Sequence, residues 1–210
     1  KFYQSGALSF EIFSNGKKLI TNSGYFANKH NKLNKLSKST ALQSTLSIED
    51  RSSCNYKKLN KSNLVVKNGV HIIKKNVVFE DNYWKISGSH DGYLKDFKTI
   101  HEREIEFYPE QMKFIGFDKL LRKDNSRNTK FDIRFHLDPS SKVMKTLDNK
   151  SILIELKDEG WKFNCENFDI NIDNGLYLGI KNSYKENQNI CISGASKKES
   201  EIIKWEITKL

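Results

Sequence analysis

The chain has 210 residues, 37% hydrophobic and 30% charged with aromatics at 11%, enough apolar material for one large domain and too much for general disorder. A formal net charge of +10 and a sequence pI near 9.3 give a surface that attracts polyanions (nucleic acid, anionic lipid or acidic polysaccharide) or simply solubilises the fold; its basic residues are spread in short pairs, unlike the dense block of a nucleic-acid arm. No apolar run is long enough to span a membrane, and no signal-peptide pattern opens the chain.

The chain begins Lys1-Phe2-Tyr3 without a methionine, so the expectation is a piece of a longer polypeptide. "ALSFEIF" is in a strand by Ala7, with Leu8, Phe10 and Ile12 on one side. Asn15-Gly16 then separates it from "KKLIT", a strong hairpin signal because both turn residues accept positive φ. Residues Tyr25 to Lys38 and Asn55 to Ser62 read as polar surface loops. Asn68-Gly69, Asp91-Gly92 and Asn174-Gly175 carry the same turn chemistry as Asn15-Gly16, and Glu159-Gly160 divides "SILIELKD" from "WKFNCE".

"HEREIEFY" puts His101 and Arg103 in phase with Ile105 and Phe107, hence inward, and leaves Glu102, Glu104 and Glu106 outward. An inward His and Arg must find partners or sit at an open end of the sandwich. "FDIRFHLDP" alternates Phe131, Ile133, Phe135 and Leu137 against Asp132, Arg134, His136 and Asp138, which places His136 on a solvated or substrate-facing surface. "EIIKWEITKL" repeats the pattern with Ile203, Trp205 and Ile207. Pro109 and Pro139 follow strand-like runs, where they end pairing. Period-two alternation between turn signals, with no sustained helical period, predicts an all-β, largely antiparallel β-sandwich of many short strands. Its core should contain Phe131, Ile133, Phe135, Leu137, Trp161, Phe163, Trp205 and Ile207.

His90, Asp91, Gly92 and Tyr93 are the strongest local candidate for chemistry, since an imidazole titrates near neutrality and a tyrosine can relay a proton. The plain alternative is a turn. Cys54, Cys165 and Cys191 are odd in number and lack CxxC spacing, which suggests neither a zinc knuckle nor a disulfide framework. One disulfide and three separate thiols both stay open. The motifs GxSxG, GxGxxG, HExxH and the P-loop are absent.

"GALSFEIFSNGKKLITNSG", "STALQSTLSIED", "SHDGY", "IHERE", "FDIRFHLDP", "GWKF" and the closing "IKWEI", taken in order, resemble the C-terminal domain of heparinase II/III-like proteins over nearly the whole chain. The resemblance implies a β-sandwich that follows a helical toroid, in lyases of the bacterial periplasm or cell envelope. It also implies β-elimination on an acidic polysaccharide containing uronic acid, with the helical domain of the same polypeptide as partner; it implies neither nucleic acid nor a membrane span. By the same resemblance His101 and His90 are the catalytic candidates, and Gln43, Tyr93, Arg103, Arg134 and His136 the substrate-binding ones. No metal ligand set is assigned, and the cofactor is left unknown. In the family a histidine stands at the position of Gln43. Glutamine can hydrogen-bond a carboxylate but cannot serve as a general base, so a carbohydrate-binding or scaffolding sandwich without catalysis is the second reading.

Overall fold

The computed structural model describes residues 4–59, 64–124, 127–181 and 183–210. Two antiparallel sheets face each other. The larger has eight strands in the order β11-β12-β13-β16-β9-β8-β7-β6: β6 is Ile72–Glu80, β7 Tyr83–His90, β8 Thr99–Tyr108, β9 Lys113–Arg122, β11 Lys142–Lys145, β12 Ser151–Leu156, β13 Glu159–Asn164 and β16 Ser200–Lys209. The smaller runs β1-β2-β10-β15-β14, with β3 also paired to β10. Here β1 is Ile12–Ser14, β2 Lys17–Thr21, β3 Leu46–Ile48, β10 Thr129–Leu137, β14 Asp169–Tyr177 and β15 Lys185–Ser196. A separate ribbon pairs β4, Asn55–Lys58, with β5, Leu64–Asn68. This is the all-β sandwich expected from the alternation.

All eight core residues named from the sequence are buried. Phe135 on β10 meets Trp205 on β16 edge-on at 4.9 Å between ring centres, and Phe163 on β13 lies 4.8 Å from Phe135. Phe10 stacks on Trp205 at 5.6 Å. The Trp205 ring lies over Gly116 on β9, where an added Cβ would stand 2.0 Å from a ring carbon. No side chain larger than hydrogen fits there, so Gly116 lets an indole cross the sheet.

Several local expectations are corrected. The Asn15-Gly16 hairpin forms between β1 and β2 with both residues at positive φ, as its turn chemistry requires. Asn68-Gly69 instead joins strands of different sheets. Asn174-Gly175 lies inside β14, where Gly175 makes room for the Asn187 and Asn189 side chains crossing from β15. At Glu159-Gly160 the strand has already begun, and the bend falls at Lys157, which has φ 57°. "ALSFEIF" becomes a strand only at Ile12, since Leu8 turns the chain with φ 57°. The Tyr25–Lys38 stretch holds a short helix, α1, Lys32–Leu36, whose N-cap Asn31 accepts a hydrogen bond from the Leu33 amide. The stretch from Asn55 to Ser62 contains β4 up to Lys58, while residues 60–62 lie outside the described residues. Among the described residues no helix is long and apolar enough to cross a membrane. The three cysteines are buried free thiols.

Candidate functional site

Strands β7, β8 and β9 are neighbours, and their register sets His90 opposite His101 and Arg103 opposite Asp118. Their inward side chains form one continuous buried chain of hydrogen bonds. The Gly92 amide donates to His90 Nδ1 at 3.1 Å. That nitrogen is therefore an acceptor, so His90 Nε2 carries the proton it gives to His101 Nδ1 at 3.1 Å. His101 Nε2 in turn donates to Asp118 Oδ1 at 2.6 Å. One amide thus fixes the tautomer of both imidazoles.

Asp118 is the sink of this relay. Arg103 grips it as a fork, Nε to Oδ1 at 2.8 Å and one terminal nitrogen to Oδ2 at 3.0 Å. The Trp205 indole N–H donates to Oδ2 at 2.9 Å. Burial pushes the Asp118 carboxyl up, but the Arg103 charge and the His101 bond outweigh it and hold it well below the usual carboxylate range. His90 and His101 are also lowered, but in their case by burial itself. His90 falls to about 3, with His101 and Arg103 adding to the effect, while Asp118 partly opposes the shift at His101. The resting state is two neutral imidazoles and one paired carboxylate.

Arg103 also reaches out of this cluster. Its other terminal nitrogen donates to the carbonyls of Ser44, at 2.7 Å, and Leu8, at 3.0 Å. Ser44 is pinned from its far side as well: its amide donates to Asn22 Oδ1, its hydroxyl donates to the Thr21 carbonyl, and the His136 amide donates to that hydroxyl at 2.9 Å. The Gln43 side chain next to it packs against Gly6. Gln43 is buried, and its amide nitrogen has no hydrogen-bond partner among the described residues.

Arg103 and His136 thus meet at Ser44, beside Gln43, and His90 and His101 connect to it through Asp118 and Arg103. The expectation of a solvated His136 is corrected. It is buried, with Nδ1 against the Ser23 hydroxyl at 3.1 Å and Nε2 donating to the Ala41 carbonyl at 3.0 Å. The segment from Asn22 to Ser44 covers the outer face of the smaller sheet at this point, so that face is not solvent, and burial lowers His136 to about 4. Tyr93 is also buried; its ring lies 5.6 Å from that of His90 and its hydroxyl donates to the Leu46 carbonyl. Arg134 stays apart, half-buried between Asp132 and the Ser47 hydroxyl. Both nitrogens of His90 and of His101 are occupied within the protein, so neither has one facing open space. Among the described residues no group of three or more His, Cys, Asp or Glu is placed to hold a metal ion.

Asp118 and Ser44 were not singled out from the sequence as site residues, and neither was the exposed His71, whose Nδ1 and backbone amide both meet Asp91. Asp118 lies in the phase of Phe114, Gly116 and Leu120 on β9, but the other phase of that strand, Ile115, Phe117 and Leu121, is equally apolar.

Beside Arg103 opens a groove of roughly 540 Å³, lined by Leu8, Phe10, Trp84, Ile86, Phe107 and Phe114 among others. It continues into an aromatic row across four strands. Phe79 stacks on Trp84, Trp84 meets Phe107, and Phe107 stacks on Phe114 at 4.3 Å. Phe79 is 74% exposed and Ile86 61%.

The family described as heparinase II/III-like, C-terminal, matches residues 2–206. Among solved structures, the heparan sulfate lyase HepC from Pedobacter heparinus is similar to the chain with a TM-score of 0.78 at 12% identity, over 98% of this chain and 30% of that one. A heparinase III described as the BT4657 gene product gives 0.73 at 14% identity over the same shares. A further heparinase III gives 0.69 at 16% identity, over 99% and 30%. The chain therefore spans about 30% of the solved chains it matches. No curated protein matches it in sequence.

Proposed function

Because the chain belongs to the heparinase II/III-like family through its C-terminal domain, we propose that it is the β-sandwich part of a polysaccharide lyase-like protein. The substrate is an acidic polysaccharide containing uronic acid, and the reaction is β-elimination, completed by groups outside these 210 residues. The observation that carries this reading is the convergence on Ser44, which holds Gln43, with an unsatisfied amide donor, at the junction of two hydrogen-bonded clusters. The heparan sulfate lyase and heparinases of like fold support the substrate class, and a net charge of +10 suits an anionic polymer.

The chemistry divides as follows. Elimination requires a neutralised carboxylate, a base for the proton on the adjacent carbon, and a proton for the departing glycosidic oxygen. Gln43 can donate to a carboxylate. His90 and His101, closed on both nitrogens, act as positioning residues with Arg103, Tyr93 and His136, while Arg134 lies on the outer face within reach of a saccharide. The base comes from elsewhere in the parent protein. The apolar groove beside Arg103 is where that remainder, a helical domain, packs, since soluble surfaces rarely leave so contiguous an apolar patch bare. The parent protein works in the periplasm or cell envelope of a bacterium. Gln43, standing where the family carries a histidine, favours a second reading, a sandwich that binds the polysaccharide without cleaving it.

Both readings require glycan recognition, which a competition experiment tests. The 210-residue chain should bind immobilised heparin and be displaced by soluble uronic-acid polysaccharide at a lower concentration of charge than by duplex DNA. Equal displacement by DNA, charge for charge, would show only a basic surface and remove the support for either reading.

A further inference from the structure

Between Ile12 and Ile48 the chain has no Asp or Glu but has Lys17, Lys18, Lys29, Lys32, Lys35 and Lys38. The last of these is unusual in its setting. Lys38 follows α1 and is only 8% exposed. Its ammonium lies 6.0 Å from the centre of the Tyr56 ring, and it makes no ion pair among the described residues, which include every Asp and Glu of the chain. Burial, and then the nearby charge of Lys29, lower its pKa.

Covering most of a lysine side chain while its ammonium has no counter-charge is unfavourable, and the charge of Lys29 adds to the cost. A methionine would fill much of the same volume without that cost. The location adds a reason for the lysine. The Lys38 carbonyl accepts from the Ser5 amide at 2.9 Å, and Gly6, the next residue, packs on Gln43. The Lys38 backbone therefore borders the segment that packs on Gln43, and its ammonium lies over the Tyr56 ring, whose hydroxyl is 3.1 Å from the Ser5 hydroxyl.

We propose that Lys38, seated over Tyr56 next to the Ser5–Gln43 segment, is the charged residue of an anion subsite that takes a carboxylate or sulfate group of an acidic saccharide. The inference rests on the acidic-polysaccharide reading above and adds to it the residue that meets the charge.

Calorimetric titration of the 210-residue chain at low salt, with a sulfated heparin hexasaccharide and an unsulfated hyaluronan hexasaccharide, tests it. Lys38→Met should weaken binding about tenfold or more, the effect of losing one charge-assisted contact, and should melt no lower than the parent chain without ligand. Lys38→Arg keeps the charge and should retain binding. Lys95→Met, which removes an exposed lysine on α2, Leu94–Phe97, should leave the affinity within about twofold, as expected for a solvated charge. Binding of heparin alone would assign the subsite to sulfate; binding of both sugars would show that a carboxylate suffices. If Lys38→Met binds as well as the parent chain, or loses no more than Lys95→Met, the subsite is wrong while the polysaccharide reading stands. If neither sugar binds the parent chain, both are wrong.

Discussion

Asp118→Ala is expected to lower the stability of the domain by roughly 3–5 kcal/mol, the cost of removing one partner from a buried ion pair. The carboxylate receives four hydrogen bonds, one from His101, two from Arg103 and one from Trp205. Without it, Arg103 keeps its charge in a buried site with only the Leu8 and Ser44 carbonyls as acceptors, and two proton donors lose their acceptor. Denaturant unfolding measures the loss directly. Replacing Arg103 by Met in the same chain should recover part of it, because the stranded charge goes too. A loss below about 1 kcal/mol, the worth of an exposed pair, would mean that the relay does not hold the sheet together.

The second large effect is acid lability. Burial lowers His90 and His136 from the ordinary histidine value of 6.5 to about 3 and about 4 in the folded chain. The unfolded chain therefore binds protons from pH 6.5 downward while the folded chain does not, and stability must rise with pH across that window. The contribution is fully present above pH 6.5 and is lost as pH falls toward the folded values. Each unit costs up to about 1.4 kcal/mol per histidine, so the pair removes roughly 5 kcal/mol at most by pH 4.5. Asp118, held low by Arg103, adds its own loss only below the ordinary aspartate value of 3.8. Melting temperatures from pH 8 to 4.5 should fall steeply, and His90→Gln should flatten the slope. A flat profile in the parent chain would show that the imidazoles are not buried neutral.

The strands whose alternation is clean were legible in the sequence, and those apolar on both faces were not. On β10 the set Phe131, Ile133, Phe135 and Leu137 has a polar counterpart, so its inward face was unambiguous. On β9 both Phe114–Leu120 and Ile115–Leu121 are rich in apolar side chains, so periodicity alone gives no phase and the inward Asp118 is hidden. Its role depends on β8 and β16 flanking β9, a tertiary fact. His101 and Arg103 were read inward correctly, because Ile105 and Phe107 fix their phase. His136 was misplaced for a different reason: alternation assigns a side of the sheet but cannot show that Asn22–Ser44 folds over it. The turn dipeptides behaved alike. Asn15-Gly16 closes a hairpin because neighbouring strands pair, whereas the glycine of Asn174-Gly175 serves a close approach of side chains, which the same two letters do not distinguish. Lys38 had no signal beyond the acid-free stretch around it.

If this sandwich supplies structure and substrate contacts to a site whose base lies elsewhere, activity must divide in the same way. The most direct measurement is ultraviolet absorbance at the wavelength of the conjugated double bond that β-elimination leaves at the new non-reducing end. It should be followed on uronic-acid polysaccharides with the 210-residue chain and with the longer parent polypeptide. The 210-residue chain should bind the polymer without any rise in absorbance. The longer polypeptide should produce the rise, and Arg103→Ala should slow it by loosening the Ser44 anchor. Absorbance rising with the 210-residue chain alone would contradict the division, because it would place the base within these 210 residues.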